Sequence, residues 1–278
     1  STGTLTNNGT LKIGSSPGFG SITGNLTLSG SSVLEIEIAG YSRGLVAGYD
    51  AMHVSGNATL GGTVNVVHMP GFTANLGDVF HIVSTGGTRS GSFATIVPPS
   101  GLEAYAQGAD GKNAYLQRGT VFTGVNVWNT DSSGNFNLAA NWSAGVVPSG
   151  TDTVIIDRGP VANPVVTINT PITIGKLSAT ENVLVSGSTL TVNGPASFGA
   201  NLDLTAGGTL ALNGTSTVTG TYTHTSGTLT GSGDLTVQGS AALTAGTLSG
   251  TGSLTTAGAT SVGDITLSRT WNAQGSTS

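Results

Sequence analysis

Cysteine is absent from all 278 residues, which excludes disulfides, thiolate metal centres and a cysteine nucleophile. Charge is nearly as scarce. Lys, Arg, Asp and Glu make up 8% of the chain, against about a quarter of an ordinary soluble domain. The eight basic residues are scattered and the net charge is −5, so no basic stripe exists to neutralise phosphates and nucleic-acid binding is excluded. Between positions 201 and 268 the only charges are Asp203, Asp234 and Asp264. Such a surface must be wetted by hydroxyls and amides; an exposed helix would carry Glu and Lys on its outer face. Apolar runs break off every few residues, so no segment reads as a membrane span. No signal peptide is visible. The chain opens and closes inside repeat phrases, STGTLTNNGTLKIG and DITLSRTWNAQGSTS, and is expected to be a mature subunit or a segment of a longer protein.

What is abundant is glycine, 45 residues, set among a hydrophobic fraction of 37%. That apolar content, with a mean hydropathy of +0.16, argues for a packed core and against disorder. From about Val183 one phrase recurs: STLTVNG, NLDLTAGG, TLALNG, TLTGSG, DLTVQG, AALTAG, TLSGTG. Each is a short strand with apolar residues at alternate positions, closed by a glycine turn. Strands this short must stack on neighbours, so the phrase predicts an all-β solenoid.

Three regions follow along the chain. Residues 1–119 start with two such phrases and continue in more regular strands. In VLEIEI, Val33, Glu35 and Glu37 share one face while Leu34, Ile36 and Ile38 share the other, the pattern of a strand with one wet face. Phe72 to Tyr115 holds most of this region's aromatics and the Pro98-Pro99 pair, and reads as a terminating element with larger loops. Residues 120–152 form a junction: Phe122, Trp128, Phe136 and Trp142 fall close together, although the chain has only three Trp, seven Phe and five Tyr. An aromatic plug near residues 120–145 suits a cap over the end of a stack. Residues 153–278 are the repeat zone. The expectation is two stacked units with the capping segment between them.

The words GTLTNNGTLKIG, GYDAMHVSGNATLGGTVNVV and GFTANLGDVFHIVST, followed by NLAANWSAGVVPSGTDTVIID, resemble the repeats of bacterial autotransporter-associated and filamentous-haemagglutinin-like surface proteins. The first set is similar to the stretch that closes such passenger domains, the second to the opening of a fresh solenoid unit. The resemblance implies a right-handed parallel β-helix, secretion to the bacterial cell surface, and a role in adhesion, biofilm matrix or surface fibres. The barrel that such passengers carry has no counterpart among these words.

Candidate sites are few. Asp203, Asp234 and Asp264 sit in matched contexts at spacings of 31 and 30 residues. If one turn of the solenoid held about thirty residues they would stack and call for a cation such as Ca²⁺; with about twenty, only Asp203 and Asp264 would align, three turns apart. The plainer reading is a polar residue at each strand start, with no cofactor. Asp131, Ser133, Asn135 and Asn137 alternate in NTDSSGNFN, but the glycine is misplaced for an EF-hand and the closing Glu is missing. His53, His68, His81 and His224 read as exposed strand residues, not a metal pair. GADGKN reads as a turn around Asp110-Gly111. Asp152 and Asp157, five apart, fall on opposite faces of a strand and make a poor pair for glycoside hydrolysis, so a polysaccharide-cleaving enzyme is a minor reading. Thr189/Thr191, Thr217/Thr219, Thr221/Thr223 and Thr228/Thr230 form TxT pairs like those of ice-binding solenoids, at irregular intervals. The sequons at Asn25, Asn57, Asn141 and Asn213 match chance in so Asn- and Thr-rich a chain. Trp128, Phe136 and Trp142 read as a buried cap or, alternatively, a sugar-stacking platform. The sequence therefore predicts a non-catalytic structural module that associates with itself or with neighbouring units; the alternative is an adhesin for glycan or another cell surface.

Overall fold

The computed structural model describes residues 3–14, 17–99, 104–109, 111–120, 124–158 and 162–278. The chain is all-β, with parallel strands in curled sheets and, among the described residues, a single 3₁₀ turn at Ala139–Asn141 as its only helical element. It divides into two units, Ser1–Thr123 and Gly124–Ser278.

The first unit has three sheets around one core. One joins Thr4–Asn7, Asn25–Leu28, Ala58–Leu60 and Arg89–Gly91, all parallel. The second joins Thr10–Leu11, Val33–Ile38, Thr63–His68 and Thr95–Val97 in the same sense. The third begins parallel, with Phe19–Ile22, Ala51–Val54 and Val79–Thr85, then turns antiparallel through Asn113–Arg118 and Tyr105–Ala109. The alternation of VLEIEI is realised: Leu34, Ile36 and Ile38 are fully buried and the intervening residues only partly so. The chain returns to the same column after about thirty residues here, as Leu34 pairs with Val64 and Ser90 with Thr59. Asp110, on which the sequence places a turn, lies outside the described residues.

The second unit has two sheets. The eight-stranded one starts with Val125–Val127 and Thr153–Ile156 and ends with Trp271–Ala273. The other holds eleven strands and combines two faces, because Ala241–Leu248 runs straight through where earlier turns of chain make a corner. Returns are shorter here: Leu235 pairs with Leu254, nineteen positions on, and Leu190 with Leu210, twenty on. Identical side chains therefore stack. One inward column reads Val154, Leu177, Ala196, Ser216, Leu235, Leu254, Trp271. Another reads Ile172, Leu190, Leu210, Leu229, Leu248, Leu267. Each fully buried Leu is worth about 1.5–3 kcal/mol, so the unit is held by many equal increments between neighbouring turns.

These registers do not form the aspartate stack that a turn of about thirty residues would have made. Asp203 pairs with Leu184 and Thr223, Asp264 pairs with Ala245, and Asp234 precedes the strand Leu235–Val237. Where the three aspartates lie a turn of chain takes nineteen or twenty residues, so their spacings of 31 and 30 do not complete whole turns. Nor do Asp203 and Asp264 align three turns apart, since the column of Asp203 continues through Thr223, Ala242 and Ser261.

Corners need residues without a side chain. Gly231 and Gly250, nineteen apart, both have positive φ, +110° and +93°, and a Cβ at Gly250 would collide with the carbonyl oxygen of Gly231. Nineteen positions later the column ends in Arg269. Its guanidinium folds back to donate to the carbonyls of Gly252, Gly233 and Ser253 at 2.9, 3.1 and 3.0 Å.

Candidate functional site

The aromatic segment belongs, from Gly124 onward, to the second unit, and Phe122 lies outside the described residues. Trp128, Phe136 and Trp142 are 0%, 1% and 2% exposed and share the unit's core with Val154 and Ile156. Trp142 meets Trp128 edge-on at 5.2 Å and Phe136 at 4.6 Å between ring centroids. The Trp142 indole Nε1 donates to the Phe136 carbonyl at 2.6 Å. Rings this buried offer no face on which a sugar could stack.

The loop beside them spends its polar groups internally. Asp131 Oδ1 accepts from both Nε and Nη2 of Arg158, at 2.8 and 2.6 Å, while Arg158 Nη1 donates to the Trp128 carbonyl at 3.2 Å. Ser133 Oγ accepts from the Val165 amide at 2.9 Å. A cation would have to displace a bidentate guanidinium to reach Asp131. Asp234 accepts from the Ser253 amide and hydroxyl, both at 2.8 Å, and the Ser253 amide is the main reason its carboxyl sits below the usual range. Asp203 is half-buried and Asp264 exposed on separate columns. Among the described residues no three His, Asp or Glu side chains come close enough to hold a metal ion. Asp152 Oδ2 caps the turn at Ser149, accepting its amide at 2.9 Å, and Asp157 is buried.

The histidines correct the sequence reading, because none is a free strand residue. His53 Nδ1 meets Ser84 Oγ at 3.0 Å, and that hydroxyl also accepts from Arg43 Nη2 at 3.0 Å. His81 Nε2 lies 3.1 Å from both the Val83 carbonyl and Asn113 Oδ1. His224 is wholly buried, with Nδ1 3.2 Å from the Tyr222 hydroxyl and Nε2 3.2 Å from the Gly227 carbonyl. Burial lowers its pKa below the ordinary histidine value. His53, His81 and His224 are buried while His68 is half-buried. The alternation carries a signal for one of them: in TYTHT the three threonines face out, which sends Tyr222 and His224 inward.

One cluster was not visible in sequence. In the first unit Tyr41, Phe72, His68, Tyr105 and Phe80 form a closed ring of aromatic contacts, with successive centroids 5.3, 5.7, 6.0, 6.3 and 6.4 Å apart. The Tyr41 hydroxyl donates to Asp78 Oδ2 at 2.8 Å, and His68 Nε2 meets the Tyr105 hydroxyl at 2.6 Å. Burial raises both tyrosine pKa values and lowers that of His68, with Arg118 adding to the latter. Its members come from three strands and two loops spread from position 41 to position 105, so no local spacing announces it.

The sequons are structural. Asn25 Oδ1 accepts from the Asn57 amide at 2.8 Å, and Asn57 Oδ1 from the Thr88 amide at 2.9 Å, one corner asparagine holding the next turn of chain. Asn213 and Asn193 pair likewise at 3.2 Å, and Asn141 donates to the Asn135 carbonyl at 3.0 Å.

The TxT pairs divide among three faces: Thr217 stands on the eight-stranded sheet, Thr223 on one face of the larger sheet, and Thr189, Thr191, Thr228 and Thr230 on the other. That last face holds an unbroken column of five: Thr189, Thr209, Thr228, Thr247 and Thr266. Their sequence intervals looked irregular only while the turn length was unknown.

Compared with known proteins, the chain matches no family model, no curated protein and no solved structure.

Proposed function

We propose that the chain is part of a right-handed parallel β-helix and serves as a non-catalytic structural module of a secreted bacterial surface fibre, sheath or adhesive stalk. The observation that carries this reading is the unbroken register of the second unit, where every turn of chain offers the next the same parallel edge and the same inward columns. Handedness and location rest on the resemblance of the repeat words to autotransporter-type proteins. The outer strands expose apolar side chains: Leu5 and Phe19, on the first strands, are 45% and 38% exposed, and Val262 and Leu267, on Thr260–Leu267, are 36% and 50% exposed, although residues 276–278 bond back over the start of that last strand at Thr260 and Val262. An edge of this kind templates further strands, and head-to-tail contact between unlike ends generates filaments. Sedimentation and negative-stain microscopy of purified chain over a hundredfold range of concentration test the reading. Rods that lengthen with concentration are expected; a monodisperse monomer throughout would overturn self-assembly.

The threonine column favours a second reading, in which the face binds an uncharged, periodic surface such as ice. Its five hydroxyls have no protein partner among the described residues, and strand spacing sets them about 4.8 Å apart. Thermal hysteresis tests this: Thr228→Lys should abolish it, and a wild-type chain without hysteresis removes the reading. The glycan-binding alternative has lost its aromatic platform to the core.

A further inference from the structure

We propose that His224 is a built-in acid-labile point in the second unit, at which protonation opens the corner 222–228 and loosens the turns of chain stacked beyond it. His224 is the only histidine between Gly124 and Ser278, and it occupies an inward column between Leu204 and Leu243. Its neutral form is fully satisfied: one ring nitrogen donates to the Gly227 carbonyl while the other accepts from the Tyr222 hydroxyl. A second proton on Nδ1 would turn the Tyr222 hydroxyl from donor into acceptor, and its own proton would then need a new partner inside the core.

No carboxylate offsets the new charge. Tyr222, on the same strand, is buried and remains neutral. The preceding strand Leu202–Thr205 carries Asp203, which stands on the outer face between inward Leu202 and Leu204. The following strand Ala241–Leu248 holds no titratable group. The charge of Arg269 is felt at Tyr222, the hydrogen-bond partner of His224. The ring cannot slip aside either. A Cβ at Gly246 would lie 2.7 Å from His224 Nε2, so the backbone of the next turn of chain closes directly over the imidazole.

The folded-state pKa lies below the unfolded value of about 6.5. The neutral ring therefore contributes stability that is fully present above about pH 6.5 and is lost as pH falls toward the folded pKa, the open population rising by up to about tenfold per pH unit in that window. Above about pH 5 most carboxylates keep their charge, so this window reports histidine.

Hydrogen exchange on the full chain, corrected for intrinsic rates, tests the proposal at pH 7.0, 6.0 and 5.0. Amides of 222–229 and 241–248 should lose protection once the pH falls below about 6.5, at a rate that approaches but does not exceed about tenfold per unit, while those of 165–192 hold theirs. In His224→Gln, which can still bond Tyr222 and Gly227 but cannot titrate, protection at 222–229 should be independent of pH. Should that variant not fold, the wild-type C2 proton of His224 is followed by NMR. A midpoint below 6.5 that coincides with the loss of protection supports the proposal. An ordinary midpoint, or protection unchanged between pH 7.0 and 5.0, overturns it.

Discussion

At the scale of single residues the fold turns on what is missing from a side chain. Gly246 has φ +122° and no room beside His224, whereas Gly207 has φ +74° and open space where a Cβ would go. Gly207→Ala should therefore cost about 1 kcal/mol for the left-handed backbone alone, and Gly246→Ala about 3 kcal/mol or more, since strain and overlap add. Thermal melts of the two variants compare them directly, and equal losses would contradict the packing described at that corner. The aromatic segment makes a second contrast. Trp142→Ala should cost about 3–5 kcal/mol, as removal of a buried indole does. Asp131→Ala should cost less, about 1–3 kcal/mol: the carboxylate is 63% exposed, but the Arg158 side chain it pairs with is only 5% exposed and would lose its charged partner. Denaturant midpoints should fall further for Trp142→Ala; an equal or greater loss for Asp131→Ala would mean that the Arg158 bridge, not the aromatic packing, fixes this segment. Residue types marked the glycines and the aromatics in the sequence. They did not mark the buried histidines, because an inward histidine fits the same alternation as an inward leucine, and only its flanking threonines betray the face it takes.

At the scale of elements the chain is a set of two- to eight-residue strands that gain stability only from the strand before and the strand after. The alternation in VLEIEI and in the later phrases was legible because a strand with one wet face must alternate. The length of a turn of chain was not, because a phrase of about ten residues is a strand and its corner, and the number of such phrases per turn is set by tertiary packing. Both lengths in fact occur: about thirty residues in the first unit, where Leu34 meets Val64, and nineteen in much of the second, where Leu235 meets Leu254. That difference dissolves the aspartate ladder and creates the threonine column. Leu229, fully buried between Leu210 and Leu248, should on truncation to Ala cost about 2–5 kcal/mol, whereas Thr228→Val, on the outer face of the same strand, should stay within about 0.5 kcal/mol of wild type. A chemical denaturation series reads both, and a reversal of the order would place the strand's faces the other way round.

At the scale of the whole molecule, scarcity of charge and repetition of edge belong to one design. A surface that bears three charges between positions 201 and 268 lacks the lysines that usually discourage strand addition, the feature on which the proposed self-assembly rests. The repeat words carried this architecture clearly and carried almost nothing about a ligand, since the residues that vary least from turn to turn are those that pack or bend the chain. The aromatic ring of Tyr41, Phe72, His68, Tyr105 and Phe80 stayed hidden because it is assembled by the three-sheet arrangement of the first unit and by nothing local.

The most direct test of the proposed solenoid is a distance across several turns of chain. Because the protein contains no cysteine, Thr189→Cys and Thr266→Cys can be labelled with nitroxides without background, and the two positions end a column of five parallel strands. Four strand spacings of about 4.8 Å place the two backbones about 19 Å apart, so pulsed electron resonance should give one narrow distribution near that value, widened by the label arms. A broad distribution, or a distance well beyond 30 Å, would contradict the nineteen-residue return on which the account rests.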